Sequence, residues 1–343
     1  MDKTFLIDRN VIKYSDLDRY LNNEKLDIEL SNVELGILSF IKSFRDNEIE
    51  FETSGTTGEP KKINHTYHSL TRNIKVDDKL KDCIWGLSYD FNKIAGSQVI
   101  LQSYLNNATI VNLFGKSKKE TTEGFNTITH ISGTPTFYRL LMDGGVKFER
   151  VVQLTLGGEP SDEELFNKLR ISFPNCKITN IYASTEFGTL FSSNNEYFKI
   201  TEKNSTFVKI INDEIVVHHS IVLQNINDEW YYTGDKVEWV DDVHFKIIGR
   251  ESNMINVGGV KVNPIKVENK INKLDYVNSS YVYGVKNSLM GHIVSTDIVL
   301  KHDKTIKEIK MDLKSILNSY EVPMKINLVD KLETNTTGKI IRK

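Results

Sequence analysis

The chain has only two cysteines, six prolines and no apolar run approaching the ~20 residues that span a bilayer. Cys83 and Cys176 are too few for a disulfide framework and lack metal-ligand spacing, so both are read as small buried apolar residues in a reducing cytoplasm. No positively charged segment followed by an apolar stretch opens the chain, and the protein is expected to be soluble, with no membrane partner. Charge of one sign is missing too. Lys plus Arg number 44 against 46 Asp plus Glu, a net charge of −2, so no global field draws nucleic acid or anionic lipid. Internal repeats and low-complexity tracts are also absent.

What is present starts at residues 53–62, which read T-S-G-T-T-G-E-P-K-K. Glycine lets a backbone turn with positive φ and approach a ligand, while consecutive N–H groups, hydroxyls and an ammonium supply donors for anionic oxygens. The loop is therefore expected to hold a polyphosphate. Its spacing is not that of the Walker loop, because Gly58 is followed by Glu59 and Pro60 rather than Lys-Ser/Thr. Gly, Thr, Ser and Pro also dominate ordinary surface turns.

The length, 343 residues, suits two domains. Between residues 53 and 250, β-rich runs such as 108–114 and 151–156 alternate with helical patterns, which favours an α/β sheet. Thr134-Pro135 reads as a helix N-cap with proline at the first position, and residues 161–164, Ser-Asp-Glu-Glu, as a capping box. Residues 116–123 are polar, without apolar periodicity, and read as a loop. Gly157 to Pro160 follow a strand's carboxyl end, where open α/β sheets bind ligands. Past Arg250 a smaller unit is expected: a helix from about Pro264, strands at 281–285 and 292–300, a helix over 306–317 and a strand at 325–329.

Four segments follow the glycine loop in order. Residues 182–186 read Tyr-Ala-Ser-Thr-Glu and residues 231–235 read Tyr-Tyr-Thr-Gly-Asp. Gly249-Arg250 precedes residues 254–262, Met-Ile-Asn-Val-Gly-Gly-Val-Lys-Val, and Glu268; residues 335–342 read Asn-Thr-Thr-Gly-Lys-Ile-Ile-Arg. Together with the glycine loop these resemble the motif series of the adenylate-forming enzymes, the superfamily of acyl-CoA synthetases, peptide-synthetase adenylation domains and luciferase. The resemblance runs from Phe51 to Lys343.

The resemblance implies a large N-terminal α/β domain, residues 1–250, and a small mobile α+β domain, residues 251–343. It implies an ATP-dependent carboxylate ligase that makes an acyl-adenylate and passes the acyl group to the thiol of coenzyme A or of a separate carrier protein. The family's phosphate contacts fall on Thr53, Ser54, Gly55, Thr56, Thr57, Gly58 and Lys61, and its phosphate and magnesium contacts on Thr185 and Glu186. Adenine would lie beside Gly158, Glu159 and Tyr182, with the ribose hydroxyls on Asp235 and Arg250. Lys339 would be the catalytic cation between substrate carboxylate and α-phosphate. After adenylation the small domain would rotate, removing Lys339 and presenting Gly258, Gly259 and Lys261 to the thiol.

The chain departs from the pattern in two places. Ser252 stands at the hinge, where the family usually has Asp or Lys. Only about fifty residues precede Thr53, fewer than the family carries, and residues 5–18 resemble the family's opening strand and helix. A trimmed large domain is expected, with apolar area that a partner or a second copy would cover. These departures leave open a second reading, a nucleotide-binding or scaffold protein of the same fold with lost catalysis. Residues 87–96 resemble the acyl-pocket wall of o-succinylbenzoyl-CoA synthetases, with Lys93 in place of a His and Gly96 closing the segment; the acid itself is not legible.

Overall fold

The β-branched runs of the first 193 residues form one eight-stranded sheet. Six strands pair in parallel, from Lys177–Ser184 through Gln153–Gly157, His130–Gly133, Ile84–Leu87 and Thr109–Asn112 to Thr4–Ile7. Antiparallel strands Gly188–Ser193 and Val11–Lys13 close the two edges. The computed structural model from which this is drawn describes residues 2–47, 49–54, 60–142, 146–223, 227–334 and 340.

Ile110 and Val111 are neighbours and both are buried, yet they belong to different apolar clusters. Successive side chains of a strand point to opposite faces, so both faces of this sheet are covered. One core is built on Phe125, Tyr138, Leu165 and Phe166, the other on Leu17, Ile37, Ile41 and Ile100. The chain runs from Ile84–Leu87 to a neighbour on one side and then to His130–Gly133 on the other. That reversal opens a crevice at the carboxyl ends of the strands.

A five-stranded antiparallel sheet follows, in the order Phe198–Lys199, His244–Arg250, Trp230–Trp239, Glu214–His218 and Val208–Ile211. It ends at Arg250. A 3-10 turn, Glu251–Asn253, leads to a third sheet of Val260–Val262, Ile255–Val257, Gly291–Leu300 and Val277–Asn287, with Lys325–Leu328 added in parallel to Gly291–Leu300. Helices Pro264–Ile271 and Ile306–Ile316 pack Val267, Ile271, Ile309 and Leu313 into its core. Separately, Ile49–Ser54 and Pro60–His65 form a two-stranded hairpin.

Helix Pro135–Leu141 starts as the sequence predicts, with Thr134 Oγ1 accepting from the Phe137 N–H at 3.0 Å. Two local readings need correction. Residues 118–124 are a helix rather than a loop, because Ser117 and Glu120 form a reciprocal capping box and Thr121 supplies a buried contact where apolar periodicity is lacking. The next helix, Glu163–Ser172, is capped by Asp162 and not by Ser161: Asp162 accepts from the Leu165 N–H at 2.9 Å and also holds Arg139 at 2.7 Å. Cys83 and Cys176 are free and only half-buried, and burial pushes the Cys176 thiol up to about 12.

Candidate active site

A cleft of about 1170 Å³ opens at the carboxyl ends of the parallel strands and runs between the antiparallel sheet and the C-terminal sheet. Gly158, just past strand Gln153–Gly157, has φ +86°, a conformation that glycine adopts without strain. The turn it makes carries Glu159 back to the neighbouring helix, where its carboxylate accepts from the Thr136 N–H at 3.1 Å.

Across the cleft, Asp235 and Arg250 are directly opposed in the ladder between Trp230–Trp239 and His244–Arg250. Residues 233–235 bulge out of the pairing with Glu214–His218, with Gly234 at φ +75°. Thr233 Oγ1 donates to the Ile215 carbonyl at 2.8 Å and accepts from the Asp235 N–H at 3.1 Å, which fixes the aspartate's direction. Its carboxylate then receives two donors: Tyr182 Oη on Oδ2 at 2.7 Å and Arg250 Nε on Oδ1 at 3.1 Å. Burial, together with the Asp235 charge, pushes the Tyr182 phenol well above its ordinary range, so it stays a donor. Burial alone would weaken the Arg250 charge, but Asp235, with Tyr182 and Glu186 behind it, outweighs burial and the guanidinium is held more firmly protonated. Tyr182 also packs on Phe187 and Phe191, at 6.0 and 5.8 Å between ring centroids.

Thr185 and Glu186 follow strand Lys177–Ser184 in a short turn before Gly188–Ser193. The turn is tied down at three places. The Glu186 N–H donates to Ser184 Oγ at 3.1 Å, the Glu186 carbonyl accepts from the Leu223 N–H at 2.8 Å, and the Phe187 carbonyl accepts from the Arg72 guanidinium. Both Thr185 and Glu186 line the cleft, as do Gly158, Glu159, Tyr182, Asp235, Arg250 and Ser252, the residue expected at the hinge. Ile340, next to Lys339, lines it as well, bridged to Thr334 and packed on the cluster of Tyr281, Val299 and Leu332.

Other expected residues either fall outside the described residues or do not line the cleft. Gly55, Thr56, Thr57, Gly58 and Lys339 fall outside the described residues. Of Thr53, Ser54 and Lys61 only the main chain is described: Thr53 pairs with Lys61 and Ser54 with Pro60 at the end of the hairpin. Gly258 and Gly259 are the two-residue turn of a hairpin, φ +57° and +90°, and do not line the cleft. Lys261 is ion-paired with Glu251. Lys93 precedes helix Ile94–Leu105 and turns to the Glu52 carbonyl at 3.4 Å, outside the cleft. Gly96 does not line the cleft either, and a Cβ there would stand 2.2 Å from the Asp90 carbonyl oxygen. Sequence reasoning missed His65 and Arg72, which sit behind the Thr185 to Phe187 turn; neither carries a local signal.

Residues 53–217 match the family described as AMP-binding enzyme, and residues 266–339 match the AMP-binding enzyme C-terminal domain. Among curated relatives, 4-hydroxybutyrate–CoA ligase 1 of Metallosphaera sedula is 26% identical over 86% of this chain and 61% of its own length. The 3,4-dihydroxybenzoate–[aryl-carrier protein] ligase of Bacillus anthracis is 26% identical over 85% of this chain and 71% of its own. The chain thus spans about three fifths of the length of the first of these relatives. ATP-bound MatB from Rhodopseudomonas palustris shares the fold with a TM-score of 0.69 at 19% identity, over 86% of this chain and 66% of that one. O-succinylbenzoate coenzyme A synthetase from Bacillus subtilis, in complex with ATP and magnesium, gives 0.65 at 21% identity over 86% and 69%. With two family matches that together take in more than half of the chain, and with this shared α/β fold, the protein belongs to the AMP-binding, adenylate-forming enzymes.

Proposed function

We propose that the protein is an ATP-dependent acid–thiol ligase. A carboxylate oxygen attacks the α-phosphorus of ATP, the bond to the pyrophosphate oxygen breaks, and an acyl-adenylate forms; a thiolate sulfur then attacks the acyl carbon and AMP leaves. The observation that carries this reading is the Asp235 carboxylate, held by Tyr182 and Arg250 beside the turns of Gly158 and Glu186 in one cleft. A carboxylate with two fixed donors keeps acceptor capacity for a pair of ribose hydroxyls. Tyr182, Gly158 and Glu159 receive adenine, and the hairpin ending at Ser54 and Pro60 carries the loop for the β- and γ-phosphates.

Magnesium, when bound, neutralises charge on the departing pyrophosphate. Among the described residues no three His, Cys, Asp or Glu side chains converge, which suits an ion held by Glu186, Thr185 and substrate oxygens rather than by a protein cage. In this reading residues 1–250 hold nucleotide and acid, and residues 251–343 move as a unit about Ser252. Ile340 lines the cleft whereas Gly258 and Gly259 do not, which supports assigning this arrangement to the adenylation step. The thiol is that of coenzyme A or of a carrier protein, the acceptors named for the two curated relatives. A cytoplasmic location and self-association through the large unit belong to the same proposal; a monodisperse monomer in ultracentrifugation would count against self-association.

The test is pyrophosphate exchange. With ATP, magnesium, labelled pyrophosphate and a pooled library of carboxylic acids, label should enter ATP only when the right acid is present. No acid-dependent label across a broad library would defeat the proposal. Lys339→Ala should abolish exchange yet leave thiol transfer from supplied acyl-adenylate largely intact; equal loss of both would refute its role.

A further inference from the structure

The Thr185 to Phe187 turn is anchored from behind by residues outside every motif of the family series. Arg72 ends the helix Tyr67–Thr71 that follows the phosphate hairpin, and its Nη2 donates to the Phe187 carbonyl across 115 positions of sequence. Gly188, at φ +70°, leaves the space the guanidinium occupies: a Cβ there would stand 3.0 Å from Arg72 Nη2 and 3.3 Å from Asn73 Nδ2. His65 closes the strand Pro60–His65 and is 6% exposed. Its ring meets Phe51 of the paired strand edge-on at 5.3 Å, and its Nδ1 lies 3.2 Å from Ser69 Oγ. Its Nε2 is buried with no hydrogen-bond partner among the described residues, and the Thr185 main chain and the charges of Arg72 and Glu186 stand close enough to act on the ring.

We propose that Arg72 and His65 are positioning residues, which lock the Thr185 to Phe187 turn to the base of the phosphate hairpin and so set the distance between the two halves of the Mg·ATP site. This deepens the function proposed above and rests on its assignment of Thr185 and Glu186. The hairpin and the turn come from different parts of the fold: the hairpin pairs with none of the three larger sheets, and the turn ends a strand of the main one. Without a tie, each could shift against the other by the ångström that a phosphate and a metal-bridging carboxylate do not tolerate. Arg72 supplies a donor fixed in a planar fork, and Gly188 supplies room for it.

The experiment measures Mg·ATP binding by calorimetry, and pyrophosphate exchange with ATP and acid varied separately. Arg72→Ala should raise the Kd and KM for Mg·ATP about tenfold while leaving the KM for the acid within twofold. Arg72→Lys should recover part of that loss, and His65→Gln should give a smaller rise of about threefold in the same parameter. A merely structural role would reduce the active fraction, lowering kcat with KM unmoved. Unchanged Mg·ATP affinity in folded Arg72→Ala, or equal rises for ATP and acid, overturns the inference. If Arg72→Ala does not fold, Arg72→Lys and His65→Gln decide by the same criterion. Wild-type protein that binds Mg·ATP without exchanging pyrophosphate would sink the ligase activity, and the binding comparison would still decide this inference; wild-type protein that binds no Mg·ATP overturns both.

Discussion

Asp235 is the residue on which the site turns, because it joins two donors that start far apart in sequence: Tyr182 at 2.7 Å and Arg250 at 3.1 Å. Asp235→Ala strands both and removes the acceptor proposed for ribose. Mg·ATP affinity should fall by tenfold or more, at least about 1.4 kcal/mol, as calorimetric titration would measure. Tyr182→Phe removes one hydrogen bond and should cost about 1 kcal/mol of stability, with a smaller loss of affinity. His65 gives a pH prediction. Burial, then the Arg72 charge, pull its pKa down to about 4 from an ordinary 6.5, against the opposing pull of the Thr185 main chain and Glu186. The unfolded chain therefore takes up a proton first as pH falls, and stability is lost through the window from about 6.5 to 4, by up to roughly 3 kcal/mol. Urea denaturation at pH 7.5 and 4.5 should show a larger drop for wild type than for His65→Gln; equal drops would remove His65 as the cause.

At the scale of elements, glycines mark where backbone must pass close to backbone. Gly96 lies in the first turn of helix Ile94–Leu105, and a methyl group there meets the Asp90 carbonyl oxygen at 2.2 Å. Gly96→Ala should destabilise by about 1–3 kcal/mol, read as a lower Tm, since backbone cannot give way like a flexible side chain. A pocket-wall role would instead appear as altered acid preference at unchanged Tm. The hairpin turn of Gly258 and Gly259 behaves differently: nothing lies within 4 Å of a Cβ at Gly259, so a side chain there meets no clash, but the φ of +90° strains any residue other than glycine. Gly259→Leu should leave pyrophosphate exchange nearly unaltered and slow thiol transfer, and an unaffected transfer rate would remove the turn from the thiol step. Elements with apolar periodicity were legible, such as Ile306–Ile316 and Pro264–Ile271. Lys118–Gly124 was not, because a helix held by a capping box and a single buried threonine has no apolar stripe to read.

At the scale of the molecule, the cleft is walled by residues from before and after the Glu251–Asn253 turn, so ligand and interdomain geometry are linked. Among the described residues, polar ties that cross that boundary are Lys266 to Glu238, Asn263 Nδ2 to the Ile248 carbonyl at 2.9 Å, and Glu251 between Lys261 and Lys236. The charged ties are partly exposed and contribute little singly, which suits the movement of residues 251–343 proposed above. Mg·ATP at a hundred times its Kd should add about 2.7 kcal/mol of stability, seen as a rise of a few degrees in Tm by scanning calorimetry. No shift would mean that the nucleotide does not bind the folded chain. Among the described residues no helix is long and apolar enough to cross a membrane.

By itself the sequence determined the family, the order of the segments and the local devices, because glycine turns, helix caps and apolar periods act over a few residues. The tertiary structure alone decided which of these segments meet. Tyr182 reaches Asp235 across 53 positions, Arg72 reaches Phe187 across 115, and Lys93 Nζ reaches the Glu52 carbonyl across 41. Such contacts depend on how sheets stack and where strands end, and no run of neighbouring residues carries that information.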